Sequence, residues 1–522
     1  MQFSLPVPAT GQTRRLDPLS AGADSLALAQ LASQLQTGQS SRTPLVIFTA
    51  SAFEAQRLLE EIPWFDSRLG VSMLPDWETL PYDHFSPHPD LISERLATLY
   101  QISRNACDII IVPISTALLS LPPPAYLAAH TFMLKKGQRL DLEALRTQCA
   151  EAGYHHVNQV MSPGEFSVRG GLIDLFPMGS TLPYRLDLFD DEIETIRTFD
   201  VDTQRSLYPV GEIRLLPARE FPLDESGIAL FRQQFRECFE GDPSRSRTYK
   251  EVSKGVASGG IEWYLPLFFE QTATLFDYLP HNALLCLHGN LDHAAQGFWH
   301  EAQSRYRLLA HDSERPILKP EVLLTKAEDF FSRTHAFARL QLDTQGVPTG
   351  LPDLNIERRA EHPLFKLQSF LDQYKGRVFI AAESLGRRET MSQLLAEYGL
   401  QPALIEGWTD FAASKEAKVL GISPLHNGFV TAEFAIITEA ELYATQVRQQ
   451  RRREKDKARN AEGMLKDLSE LRENDPVVHE QHGVGRYRGL VNLDFGEGET
   501  EFLLLEYADD DKLYVPVSQL FL

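Results

Sequence analysis

At 522 residues, 43% of them hydrophobic, the chain is too long for one core and should fold as roughly three to five domains. A formal net charge of −21 argues against a main surface that binds nucleic acid, because neutralising phosphates needs a basic face, and it favours protein partners. No apolar run is long enough to cross a bilayer, and Met1-Gln2-Phe3-Ser4-Leu5-Pro6 lacks the parts of a secretory signal, so a cytoplasmic protein is expected.

Residues 1–130 alternate helical and strand patterns: a helix over 25–35, a strand over 44–49, a helix over 53–62 and a strand over 107–112. Strands apolar on both faces between helices indicate a parallel α/β sheet. After the first strand, where a nucleotide-binding protein carries its phosphate loop, the chain has Thr49-Ala50-Ser51-Ala52-Phe53-Glu54-Ala55. That run has no Gly-x-x-x-x-Gly-Lys and no lysine for phosphates, and Glu54 would repel an anion. The fold is of the nucleotide-binding type, yet it should not hold nucleotide in the usual way. Between the strands, Trp77 and Tyr82 sit among prolines and carboxylates, which suits a packed loop better than a base-stacking platform. Cys107, Cys149, Cys238 and Cys286 are widely spaced and read as free thiols. His155-His156 and His479/His482 lack partner ligands at metal spacing, so no metal or other cofactor is expected.

Residues 131–217 read as an α+β insert, with a helix over 140–152 capped by Gly153 and a strand-rich remainder. Along 184–189, Tyr184, Leu186 and Leu188 share the side expected to face the core, and Arg185, Asp187 and Phe189 share the other. An arginine and a phenylalanine on a solvated face suit an interaction surface, and Arg169 on a neighbouring strand can join them. A cross-strand salt bridge beside one exposed aromatic fits the same residues equally well. The run Arg-Gly-Gly-Leu-Ile-Asp-Leu-Phe-Pro (169–177), followed by Phe-Asp-Asp-Glu-Ile-Glu (189–194), resembles the domain of UvrB and of the bacterial transcription-repair coupling factors (the Mfd family) that binds UvrA. The resemblance implies that Arg169, Arg185 and Phe189 contact UvrA. UvrB carries a long tyrosine-rich hairpin that grips damaged DNA near the position of 82–95; here that stretch is too short for more than a stub.

Residues 218–345 complete the first α/β domain, with a strand over 283–287 and a helix over 292–306. Glu262 and Asp292 suggest caps rather than catalysts. After a Pro/Gly-rich break at 346–353, residues 346–447 form a second small α/β domain of unknown role, with strands over 377–382, 418–422 and 434–438. A turn over 383–388 places Gly386-Arg387-Arg388 where a phosphate could sit, although two arginines flanked by Glu383 and Glu389 more often form ion pairs. Residues 448–474 read as a basic helical linker with weak or indirect DNA contact.

Residues 475–522 are short strands punctuated by Gly and Asp clusters, the pattern of a small SH3/Tudor-like β-barrel. Ala508-Asp509-Asp510-Asp511-Lys512 makes a hairpin turn, after which Leu513, Val515 and Val517 alternate inward. Gly483 and Gly485 supply the tight backbone that lets His482 and Tyr487 pack over it. A barrel this small has no room for a catalytic pocket but offers an exposed sheet edge. The stretch His479-Glu480-Gln481-His482-Gly483-Val484-Gly485-Arg486-Tyr487 resembles the RNA-polymerase-interacting module of the same family, shared with CarD-like regulators. That resemblance implies strand addition to the RNA polymerase β subunit at Leu493, with Gly489, Leu490, Val491 and Asn492 beside it.

The family order of UvrB-like module, small domain, linker and polymerase-binding barrel covers the whole chain. In the family an ATP-driven translocase, with ATP and Mg, follows. No Walker motif occurs here, so a monomeric adaptor without ATPase activity is expected, either a fragment or a truncated form. A UvrB-like damage-binding ATPase and a stand-alone CarD-like regulator are the other readings.

Overall fold

A computed structural model describes residues 5–37, 42–312, 314–344, 346–357, 360–443, 476–479, 483–494, 499–507 and 512–516. The chain divides into two compact units, Met1–Leu442 and Tyr443–Leu522.

The first unit is organised on a six-stranded parallel sheet in the order Thr13–Arg15, Ala338–Leu342, Leu284–His288, Leu45–Thr49, Ile109–Pro113, Val71–Met73. Strands from both ends of the unit interleave here, because Leu45–Thr49 lies between Ile109–Pro113 and Leu284–His288. The central strands are buried on both faces, as their unbroken apolar sequence requires. Val46, Phe48, Ile110 and Val112 face a core that includes Leu96, Trp263 and Phe330. Leu45, Ile47, Ile109 and Ile111 face the opposite core with Leu28, Leu31, Leu58 and Ile62. The sequence pattern missed Thr13–Arg15 and Val71–Met73. Both are three-residue strands without a fully buried residue, too short to show a period.

The helix Ala52–Phe65 starts after Ser51, whose hydroxyl accepts from the Glu54 amide at 3.2 Å. Its far end packs on a third sheet, ordered Ala403–Leu404, Lys418–Ile422, Arg377–Ala382, Phe434–Ile437, Phe429–Val430. The Trp64 indole donates to the Ile422 carbonyl at 2.9 Å, and its ring meets Phe379 edge-on at 5.4 Å. Phe379, Trp408, Phe411 and Phe434 accordingly belong to the same hydrophobic core as Leu58 and Ile62. The helix Leu385–Glu397 begins inside the segment read as a turn.

Between the strands of the first sheet, the segment around Trp77–Ser86 is a packed loop. Tyr82 is buried with a left-handed backbone (φ 70°), and so is the backbone of Glu78 (φ 56°). Arg305 donates to the Pro81 carbonyl and the Asp83 carboxylate, each at 2.6 Å, and Arg315 donates to the carbonyls of Tyr82 and Asp83. Gly260 approaches so closely that an added Cβ would lie 2.2 Å from the Asp83 carbonyl oxygen.

The insert is a six-stranded sheet in the order Ser206–Val210, Glu192–Phe199, Tyr184–Phe189, Leu172–Phe176, Glu165–Arg169, His155–His156. It is antiparallel except for its last, parallel pair. The run 166–177 folds as a hairpin because Gly170 takes a left-handed turn (φ 61°). The helix Leu142–Glu151 starts on the Asp141 carboxylate, and Gly153 (φ 89°) follows its end.

The second unit, taken alone, is a four-stranded antiparallel sheet of Pro476–His479, Gly483–Asp494, Glu499–Glu506 and Lys512–Pro516. Tyr487, Leu503 and Leu505 are buried, with Val477, Tyr507 and Leu513 against them. Among the described residues the two outer strands each pair on one side only. An added Cβ on Gly485 would lie 3.0 Å from the Tyr507 ring, so this glycine admits an aromatic neighbour. His482, the turn at 509–511, Val517 and the linker 448–474 lie outside the described residues.

The 3₁₀ segment Ile261–Phe268 buries Glu262, whose carboxylate accepts from the Ser86 hydroxyl at 2.7 Å. Burial pushes this carboxyl from an ordinary 4.5 up to about 7. Between those values the unfolded chain releases the proton while the folded chain keeps it. Stability should therefore fall as pH rises through that window, by up to about 3 kcal/mol. Glu262→Gln keeps an acceptor for Ser86 and should flatten the slope, making the variant more stable than wild type at pH 8. Urea unfolding at pH 5 and pH 8 measures both effects, and an unchanged slope would mean the folded carboxyl is already ionised.

Candidate docking face and a buried charge network

On the insert sheet, Asp174 lies directly opposite Arg185, and Arg185 lies directly opposite Arg197. Directly paired residues of antiparallel strands share a face, so these three form one row. The Asp174 side chain is 1% exposed. It accepts from Arg185 Nε at 2.7 Å, from Arg185 Nη2 at 2.9 Å and from Arg169 Nη2 at 3.1 Å. Arg185 Nη1 donates to the Gln204 carbonyl at 3.0 Å, and the guanidinium lies 4.7 Å from the Phe199 ring centre. The hydrogen bonds to Asp174 hold the Arg185 pKa above its usual value, against the effect of burial.

The sequence placed Arg185 on a solvated face, whereas its side chain is 16% exposed and anchored to a buried carboxylate. Parity was right, and the neighbour on the next strand supplied the burial. Arg169 is 55% exposed and Phe189 is 74% exposed at the end of its strand. The structure thus brings Arg169 and Arg185 together on one acid and leaves Phe189 on the surface. On the opposite parity Leu186 is fully buried, while Tyr184 and Leu188 are half-buried. Asp174 and Arg197 were not singled out from sequence. The available signal was an acid inside the apolar run Leu172-Ile173-Asp174-Leu175-Phe176.

The second location is the end of Leu45–Thr49 and Leu284–His288, where a parallel sheet of this type holds phosphate. Arg57, with its side chain 1% exposed, is bonded there to Asp24 at 2.6 Å, to Glu54 at 2.7 Å and to Glu61 at 2.7 Å. His288, the last residue of its strand, lies 2.8 Å from Asp24. Asp24, Glu54 and His288 are close enough together to hold a metal ion, but Arg57 binds both carboxylates and supplies the positive charge. Burial alone would raise the Asp24 pKa. The hydrogen bond with His288 and the charge of Arg57 outweigh that effect and hold it below the usual carboxylate range. Burial raises the Glu61 pKa despite Arg57. The other Glu61 oxygen accepts from the His426 amide at 3.1 Å, which ties the network to the third sheet.

A parallel arrangement occurs at the start of Leu385–Glu397. The Glu439 carboxylate accepts from the Glu383 amide at 3.1 Å and from Arg387 Nε at 2.9 Å. Arg388 donates to the Ile405 carbonyl at 2.9 Å. An internal carboxylate therefore occupies the place where Gly386-Arg387-Arg388 would have met a phosphate.

In the second unit, Gly489, Leu490, Val491, Asn492 and Leu493 lie on the strand Gly483–Asp494. One edge pairs with Glu499–Glu506, and the opposite edge pairs with Pro476–His479 only through residues 483–486. Along 489–494 that second edge has no strand partner among the described residues. The register also shifts between Tyr487 and Leu490, and Gly489 is left-handed there (φ 108°).

Three family descriptions match the chain: the UvrB interaction domain over residues 132–221, the MFD D3 domain over 370–442 and the CarD-like/TRCF RID domain over 471–522. The chain is 42% identical over 534 residues to the transcription-repair-coupling factor of Escherichia coli, a match covering 100% of this chain and 46% of that protein. It is 42% identical over 517 residues to the Haemophilus influenzae factor, covering 96% of this chain and 44% of the relative. With the Bacillus subtilis factor it shares 27% over 525 residues, covering 91% and 42%. The chain thus spans a little under half the length of these curated relatives.

Replacing Arg57 with Met would leave Asp24 and Glu61 buried without their cation. A loss of about 3–5 kcal/mol is expected, read as a lower urea midpoint of the first unit. A loss below about 1 kcal/mol would show that the carboxyls simply take up protons instead.

Proposed function

Because the chain belongs to the transcription-repair-coupling factor family, we propose that it bridges stalled RNA polymerase and UvrA of nucleotide excision repair. The observation that carries the polymerase half is the strand edge along residues 489–494, which has no strand partner among the described residues. An unpaired row of backbone donors and acceptors is what an extended strand of a partner needs, and side-chain pockets then set specificity. In this reading the partner strand belongs to the β subunit, Leu493 makes the apolar contact and Gly489–Asn492 flank it. The remaining strands close the small barrel that the sequence pattern suggests.

The UvrA half rests on the face of Arg169, Arg185 and Phe189. Two arginines anchored on one buried acid are pre-organised, so little side-chain entropy is lost on docking, and Phe189 offers a large exposed apolar contact. The proposal includes no ATPase activity for residues 1–442. Arg57 and its carboxylates fill the position a phosphate would take at the first sheet, and Glu439 fills the one at the third. We also propose that the chain acts as a cytoplasmic monomer and meets DNA weakly or through its partners.

Leu493→Arg should weaken binding of the polymerase β subunit at least tenfold while UvrA binding is unchanged. Arg185→Glu should do the reverse. Purified partners and surface plasmon resonance separate the two effects. Intact polymerase binding by the first variant would remove the barrel from the proposal. Tight binding of a fluorescent ATP analogue would favour the ATPase reading instead.

A further inference from the structure

We propose that Arg197 is a further contact residue of the UvrA-facing surface, receiving a carboxylate of the partner together with Arg185. The inference rests on the reading of this face given above. Arg197 is exposed and lies directly across the antiparallel pair from Arg185, so two guanidinium-bearing side chains start from neighbouring positions on one face. Like charges placed in this way destabilise a sheet. Arg185 is already committed to Asp174 and to the Gln204 carbonyl. The Arg197 side chain, by contrast, has no hydrogen bond or ion pair among the described residues, so its donors remain available.

Charge accounting points the same way. Asp174 is shared by Arg169 and Arg185, and Asp187 accepts from Thr195 at 2.8 Å. Glu192, exposed and directly opposite Phe189, is the third carboxylate of this face, so three acids stand against three arginines and Arg197 is the arginine that none of them meets. A carboxylate arriving between Arg185 and Arg197 would relieve their repulsion and take bidentate hydrogen bonds from the guanidinium groups. The occupant is an acidic patch of the partner protein. Nucleic acid is disfavoured by the chain's overall charge.

The test uses the chain as given, purified UvrA and surface plasmon resonance at low and physiological salt. Arg197→Ala should slow association about three- to tenfold and flatten its salt dependence, since charges at an interface rim act mainly on encounter. Its melting temperature should match or exceed that of wild type, because an unpaired like charge has been removed. Arg197→Glu should weaken binding further. If Arg185→Glu loses UvrA while Arg197→Ala binds like wild type at both salt concentrations, the inference is overturned and the face remains the docking site. If Arg185→Glu binds UvrA normally, the face itself is misassigned and the role of Arg197 falls with it.

Discussion

Arg57 lies buried between Asp24 and Glu61; its bond to Asp24 ties another element to the helix Ala52–Phe65, and Glu61, on that same helix, extends the network. Asp24 holds the start of the helix Ala23–Gln36 and the end of the strand Leu284–His288, through His288. Glu61 reaches the third sheet through the His426 amide. A buried ion pair contributes little net stability on average, but losing one partner strands a charge in a low-dielectric interior. The network therefore acts as a constraint on arrangement more than as a source of stability. It also lies in the crevice where sheets of this type usually hold their ligand.

The insert uses a related device at its surface. Asp174 is as buried as Asp24, yet its two arginines reach outward, and one of them is more than half exposed. A hidden acid thus sets the position of visible bases. The one carboxylate is shared by two guanidinium groups, so it fixes their position without neutralising both. Phe199 beneath Arg185 further limits the directions its guanidinium can take.

The two proposed docking surfaces would rest on different physics. One presents fixed side-chain charge and one exposed ring. The other presents backbone that, among the described residues, has no strand partner on one edge along 489–494. Salt should act strongly on the first and weakly on the second, because main-chain hydrogen bonds between strands carry no net charge.

Much of this was legible in the sequence, and the rest has definable reasons for being hidden. Apolar runs bounded by helical periods point to central strands over 44–49 and 107–112, and the structure has them at Leu45–Thr49 and Ile109–Pro113. Strand parity put Arg185 and Phe189 on one face. Periodicity reports which side of its own element a residue takes; it carries no information about the neighbour on the next strand. Hence only the tertiary structure decided that Arg185 is anchored to Asp174, that Arg197 lies opposite it, and that the third sheet shares a core with the first through Trp64 and Phe379. It also decided that the partner of Arg57 is Asp24, thirty-three positions away, because burial of charge depends on contacts between elements distant in the chain.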